Sequence, residues 1–212
     1  MTLLLIVLRP IYYLLYHQLA WTYDFVAGVV SLGHWNDWVK AVLPHLEGRV
    51  LEIGYGPGHL QTALFQDNLF SIGLDESPQM AHLARLRLQK NGFIPRLSRG
   101  YAQTIPFANG SFDTVVATFP SEYISDPETL EEIRNVLTPG GKLVVVPTAW
   151  ITGKHPLEKL VARFFMIIGV QGAPGPISSA FTVRLSNAGF YVQSQILGMK
   201  SSQVLVISAI KR

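Results

Sequence analysis

Residues 50–58 read Val50-Leu51-Glu52-Ile53-Gly54-Tyr55-Gly56-Pro57-Gly58. A short apolar run from Arg49 ends in glycine, three glycines alternate with other residues, and His59 to Asp67 follows with helical spacing. That order is strand, glycine loop, helix. A loop without side chains at a helix N-terminus lets backbone N–H groups approach a ligand closely.

The pattern repeats on the C-terminal side. Phe70 to Asp75 reads as a strand, Ser77-Pro78 as an N-cap with a first-turn proline, and the helix behind them closes at Asn91-Gly92. A strand is expected near Ile94–Ser98 and a stronger one at Phe112–Thr118. Then come a helix from Asp126-Pro127 to Leu137, the turn Thr138-Pro139-Gly140-Gly141 and a strand at Lys142–Val146. Alternation of this kind implies a mostly parallel sheet with helices on both faces, an α/β fold. Residues 148–176 are punctuated by Gly and Pro and hold a helical stretch from Pro156 to Ile168. A helix near Ser178–Ala188 precedes Phe190–Leu197 and Gln203–Ile210, which read as an antiparallel hairpin.

Spacing around the glycines narrows the ligand. Asp75 closes the second strand, where a carboxylate can accept both hydroxyls of a ribose. A dinucleotide fingerprint would place a glycine where His59 stands, and no Gly-Lys-Ser/Thr occurs, since Gly153-Lys154 runs into His155. A nucleoside ligand without an essential phosphate is the reading that remains.

The chain has 212 residues, 49% hydrophobic and 15% charged, with no cysteine. Ordinary soluble domains carry about 25% charged residues, so disorder and coiled coil are excluded and part of the surface is apolar. Lack of cysteine removes disulfides, thiolate nucleophiles and Cys-type zinc sites, and no metal is expected. The net charge of +3 is no nucleic-acid footprint. Basic residues cluster only at Arg85, Arg87 and Lys90, with Arg96 and Arg99 just beyond.

From Met1 to Trp38 the only charges are Arg9, Asp24 and Asp37, while Trp21, Trp35 and Trp38 are three of the four tryptophans. Arg9-Pro10, His17-Gln18 and Asp24 interrupt the stretch before it reaches the roughly 20 apolar residues a span requires, and it lacks the pattern of a signal peptide. Two compatible readings stand: a helix packed over the domain as a lid, and one that also dips into a membrane surface.

Four motifs in order over residues 48–147 resemble the class I S-adenosylmethionine-dependent methyltransferases. They are Val50 to Gly58, Gly73-Leu-Asp-Glu-Ser-Pro-Gln-Met80, Ile105-Pro-Phe107 with Phe112-Asp113, and Val136-Leu-Thr-Pro-Gly-Gly141. The resemblance implies a Rossmann-like fold, a mostly parallel seven-stranded sheet with an antiparallel C-terminal hairpin. It also implies S-adenosylmethionine as cofactor and S-adenosylhomocysteine as product. Carried onto this sequence, it puts Glu52, Gly54, Tyr55, Gly56 and Gly58 around the methionyl moiety and Asp75 on the ribose. Glu76, Ser77 and Met80 then lie beside the adenosine, Ala102 and Gln103 against the adenine, and Phe119-Pro120 facing the methyl. Relatives with Gly-Asp-Ala carry an acid where this chain has Tyr101, so Gln103 is the candidate substitute for that contact to the adenine amine. Plainer roles stand beside these: Gly140-Gly141 and Ile105-Pro-Phe107 as turns, Asp113 as a local clasp, Gly73 as a packing glycine.

Thr22-Tyr23-Asp24 and Ser31-Leu-Gly-His34-Trp35, with Trp38, are similar to the entry segment of the ubiquinone/menaquinone C-methyltransferases. This implies that Tyr23 covers the cofactor and that His34 lies near the acceptor mouth. The likeness weakens at Phe119-Pro-Ser-Glu-Tyr123. Candidate bases are His34, Glu122, Tyr123, His155 and Asp24, of which His34, Tyr123 and Glu122 are taken as the catalytic set.

One domain is expected: an N-terminal lid or membrane-contact segment (1–47), the cofactor core (48–147), a substrate-side insert (148–180) and the C-terminal helix end with the hairpin (181–212). Leu157, Leu160, Val161, Phe164 and Ile168 share a helical face, and Phe165, Met166 and Ile167 make its far end apolar all round. The expectation is a methyltransferase for a lipophilic acceptor, quinone-like or lipid, in the cytoplasm. Residues 1–30 and 155–170 are the surfaces for peripheral membrane contact, and nucleic acid is not a partner. A soluble-metabolite methyltransferase and a cofactor-binding protein without transferase activity are the alternatives; oligomeric state is open.

Overall fold

The computed structural model describes residues 27–29, 31–152 and 179–212. Expectations for Tyr23, Asp24, His155, most of the N-terminal segment and the apolar helix of the insert lie outside these residues. The strands are β1 (Val50–Ile53), β2 (Ser71–Asp75), β3 (Leu97–Arg99), β4 (Phe112–Thr118), β5 (Leu137–Ile151), β6 (Phe190–Gly198) and β7 (Ser202–Lys211). The helices are α1 (Trp35–Lys40), α2 (His59–Gln66), α3 (Pro78–Lys90), α4 (Pro127–Val136) and α5 (Ser179–Asn187).

One seven-stranded sheet runs β3-β2-β1-β4-β5-β7-β6. β1 pairs in parallel with β2 (Val50↔Ser71) and with β4 (Leu51↔Val115), and β7 is antiparallel to both β5 and β6. All four residues of β1 are buried, as befits a central parallel strand covered on both faces. Leu51 and Ile53 join a core with Val115, Leu143, Ile207, Leu130, Ile133 and Leu185. Val50 points the other way, into a second core with Trp38, Val42, Leu60, Leu64, Val116, Val144 and Val206. The two-residue period of the strands therefore separates two apolar layers, one under α1 and α2, the other under α4 and α5.

The helix signals operate as the sequence suggests. Ser77 caps α3, its hydroxyl accepting from the Met80 N–H with Pro78 in the first turn, and Asp126 caps α4 by accepting from the Glu128 N–H at 3.2 Å. Asp113 is a clasp: its Oδ2 accepts from the Arg49 N–H at 2.8 Å, and its Oδ1 from Thr138 at 3.3 Å.

Two boundaries differ from expectation. β3 is shorter and later than Ile94–Ser98, because Pro95 has no N–H and the first bond to β2 comes from Gly73 to the Arg96 carbonyl. β5 begins at Leu137, absorbing the expected turn, and runs on to Ile151. Its extra length pairs with β7, Thr148↔Leu205 through Ile151↔Ser202, past a register shift that accommodates Pro147.

Candidate active site

The chain order reverses direction across the sheet at β1 and β4, and the carboxyl ends of β1, β2 and β4 open where ligands bind in such folds. Gly54, Gly56 and Gly58 leave β1 with φ of 72°, 51° and 85°. They serve different ends. A Cβ on Gly54 would stand 2.5 Å from the Tyr123 hydroxyl, and one on Gly58 2.9 Å from the Ala84 Cβ, whereas one on Gly56 would meet nothing within 4 Å. Gly56 thus lines open space.

Asp75 ties the two loops together. Its Oδ2 accepts from the Gly56 N–H at 2.8 Å and its Oδ1 from the Ser77 N–H at 2.9 Å, so the carboxylate is fixed in orientation by backbone donors on both sides. Glu52 is 1% exposed. Gln61 Nε2 donates to its Oε2 at 2.8 Å, and the Ser71 hydroxyl donates to Gln61 Oε1 at 3.1 Å. Burial pushes the Glu52 carboxyl up to about 8; the Gln61 bond opposes that shift and the nearby Asp75 charge adds to it. The carboxyl consequently holds its proton through neutral pH.

Tyr55 follows Gly54 in this loop. It is buried against β2, where a Cβ on Gly73 would lie 2.6 Å from its Cδ1, and its hydroxyl meets no partner among the described residues. Burial raises its pKa, assisted by the charge of Asp75. Around α3, Met80 and Ser77 are buried and Glu76 is exposed. Ala102 is buried and Gln103 half-buried. Gln103 Nε2 donates to Asp126 Oδ2 at 3.2 Å.

Beyond β4, Phe119 adopts φ 50°, a region that costs an aromatic residue of order 1–3 kcal/mol and concentrates at functional sites. Its N–H is held by the Val146 carbonyl at 2.7 Å. Its ring stacks on Trp35 at 4.6 Å and lies tilted to Trp38 at 6.2 Å. Pro120 is half-buried and Glu122 exposed. The Tyr123 hydroxyl donates to the Ile53 carbonyl at 3.2 Å, in the notch left by Gly54. His34 stacks on Trp38 at 6.4 Å, with Nε2 2.9 Å from the Ser201 hydroxyl and Nδ1 3.8 Å from Asp37. Trp38 Nε1 donates to the Ser202 hydroxyl at 2.9 Å, so α1 is fastened to the β6–β7 turn.

Two groups gather here: Glu52, the glycine loop, Asp75 and Tyr123 at β1 and β2, and an aromatic set of His34, Trp35, Trp38 and Phe119 beyond β4. Sequence reading missed Gln61, Trp35, Asp126 and Ser201 as partners. Gln61 left a trace, standing beside Leu60 on the face of α2 that also carries Ala63 and Leu64. Trp35 stood only within the stretch similar to the ubiquinone/menaquinone C-methyltransferase entry segment, with no role attached to it.

Residues 51–145 match the methyltransferase domain family. A phosphatidylethanolamine N-methyltransferase of Cereibacter sphaeroides is 35% identical over 156 residues, 69% of this chain and 74% of that protein. The chain belongs to the S-adenosylmethionine-dependent methyltransferases. A demethylmenaquinone methyltransferase of Deinococcus radiodurans is 32% identical over 139 residues, 62% of this chain and 58% of its own length, so the match leaves two fifths of that relative uncovered. Among solved structures, the YcgJ protein of Bacillus subtilis superposes with a TM-score of 0.61 at 19% identity, covering 83% of this chain and 98% of that one. This likeness bears on the fold.

The chemistry at the carboxyl ends of β1 and β2 fits that cofactor. Gly56 opens a space that a Cβ would fill, an oriented carboxylate stands at the end of β2, and Glu52 is a buried acid beside it. The described part of this loop carries no lysine to hold a phosphate. No helix among the described residues is long and apolar enough to cross a membrane.

Proposed function

We propose that this methyltransferase acts on a lipophilic small molecule, quinone-like or lipid, and that Trp35 and Phe119 form the wall against which the acceptor lies. The observation that carries this reading is the stacked Trp35–Phe119 pair, half-buried, on a backbone strained to φ 50°. A strained aromatic immediately after β4 is expensive packing unless it shapes a surface for an apolar ligand. Relatives named for demethylmenaquinone and phosphatidylethanolamine are in keeping with it.

When bound, the cofactor supplies a sulfonium methyl as electrophile, and the protein's work is alignment, exclusion of water and removal of an acceptor proton where there is one. The Gly54-Tyr55-Gly56-Pro57-Gly58 backbone and Glu52 take the methionyl end, and Asp75 takes the ribose hydroxyls. Glu76, Ser77, Met80, Ala102 and Gln103 enclose the adenosine. Gln103, whose amide nitrogen donates to Asp126, offers its Oε1 as the acceptor for the adenine amine. Tyr123 positions the loop from the Ile53 carbonyl, Pro120 sits beside the acceptor, Tyr23 covers the cofactor, and His34 or Glu122 receives the proton.

Segments 1–47 and 148–180 complete the acceptor chamber of a single domain, and residues 1–30 and 155–170 bring it to the membrane surface. The test is methyl transfer from labelled cofactor to lipid extracts. Label in the organic phase that falls with Trp35→Ala supports the reading; label confined to water-soluble products refutes it.

A further inference from the structure

β6 is the outermost strand of the sheet among the described residues, and it is an unusual edge. Edge strands in monomers are commonly short, charged or interrupted by proline, which keeps their free N–H and C=O groups from pairing with another chain. The opposite edge obeys this: β3 is three residues long, ends in Arg99 and follows Pro95 and Arg96. β6 has nine residues, Phe190-Tyr-Val-Gln-Ser-Gln-Ile-Leu-Gly198, with no charge and no proline. Gln193 to Ile196 are exposed in succession, with Tyr191 at 49% and Ile196 at 44%.

Hydrogen bonding at the two ends of the hairpin shows which groups of β6 face β7. The Arg212 N–H donates to the Gly189 carbonyl and the Met199 N–H to the Ser202 carbonyl, within one unbroken register. In an antiparallel ladder these pairs alternate. Odd-numbered residues of β6 therefore face β7, and Val192, Ser194 and Ile196 present their backbone groups outward.

The sequence of this edge is self-complementary. About Ser194 it reads Val-Gln-Ser-Gln-Ile, so antiparallel pairing with an identical strand sets Ser194 opposite Ser194, Gln193 opposite Gln195 and Val192 opposite Ile196. Tyr191 meets Leu197. Each cross-strand pair joins like with like, amide to amide and apolar to apolar, and no charges oppose each other. We propose that β6 pairs with β6 of a second copy of this chain across a two-fold axis at Ser194, giving one continuous sheet through both. The blunted β3 edges then lie at both ends, so the assembly closes at two copies instead of growing into a fibre.

Sedimentation of the full chain over a wide concentration range tests this, the monomer mass being 23.5 kDa. A dimer is expected. Ser194→Lys, at an exposed position, sets two like charges opposite each other on the axis and gives a monomer with unchanged far-UV dichroism and unchanged cofactor affinity. Since the chain has no cysteine, Ser194→Cys adds a single thiol, and oxidation links two copies, whereas the control Gln89→Cys on exposed α3 does not. A wild-type monomer, a Ser194→Lys chain that remains dimeric, or a dimer whose Ser194→Cys form stays unlinked overturns the proposal.

Discussion

Glu52 makes stability depend on pH in the direction opposite to most carboxylates. Its ordinary value is 4.5, and in the fold it is pushed up to about 8. Below 4.5 both folded and unfolded chains hold the proton, so nothing is lost. Between 4.5 and 8 the unfolded chain releases it while the folded chain keeps it, so stability falls as pH rises, by about 1.4 kcal/mol per pH unit for a single such group. Above 8 both are ionised and the loss levels off, at several kcal/mol in all. Glu52→Gln keeps the size of the side chain and its acceptor for Gln61 but cannot titrate. Urea unfolding of both proteins from pH 5 to pH 9 isolates the group, because every other titration cancels in the difference. The wild-type curve should descend relative to Glu52→Gln as pH rises and run parallel to it above about 8. Parallel curves throughout would show that Glu52 is ionised in the fold and refute the burial argument.

Asp75→Ala removes the carboxylate that orients the Gly56 and Ser77 N–H groups and the proposed ribose acceptor; titration calorimetry should show S-adenosylmethionine bound at least about tenfold more weakly, and unchanged affinity would remove Asp75 from the site. Gly54→Ala drives a methyl into the Tyr123 hydroxyl at a left-handed φ, a cost of about 2 kcal/mol or more in chemical denaturation. Part of that loss should return in Gly54→Ala/Tyr123→Phe; absence of recovery means that the hydroxyl was not the obstacle. His34→Ala should reduce kcat far more than cofactor affinity if the imidazole accepts a proton, and equal turnover would demote it to packing.

Local chemistry made much of this fold legible. Ser77-Pro78, Asp126-Pro127 and Asn91-Gly92 mark helix ends through side-chain and backbone geometry that needs only neighbouring residues. The glycine loop and Asp75 are similarly local, which is why the turn after β1 and the carboxylate at the end of β2 were legible in the sequence. The extension of β5 through Pro147 to Ile151 could not, because its partner Ser202–Leu205 is distant in the chain and proline ordinarily signals a break. The same holds for the acceptor side. Nothing in the order of residues says that Trp35 stacks on Phe119, that Ser201 meets His34, or that Tyr55 faces the core; each follows from which strands lie side by side.

The place of β7 in the sheet also governs the order in which the protein can be assembled. β7 lies inside the sheet, between β5 and β6, although it follows β6 in the chain. Emerging from the ribosome, β5 presents an unpaired flank with Val144 and Val145, and Lys142 must wait for Ile210. At about 5–20 residues per second that interval lasts several seconds. β6 is made meanwhile yet has no docking edge until β7 arrives. The nascent chain therefore passes through a stage with two unsatisfied strand edges, where a holding chaperone, or slow translation over residues 152–201, would decide its yield.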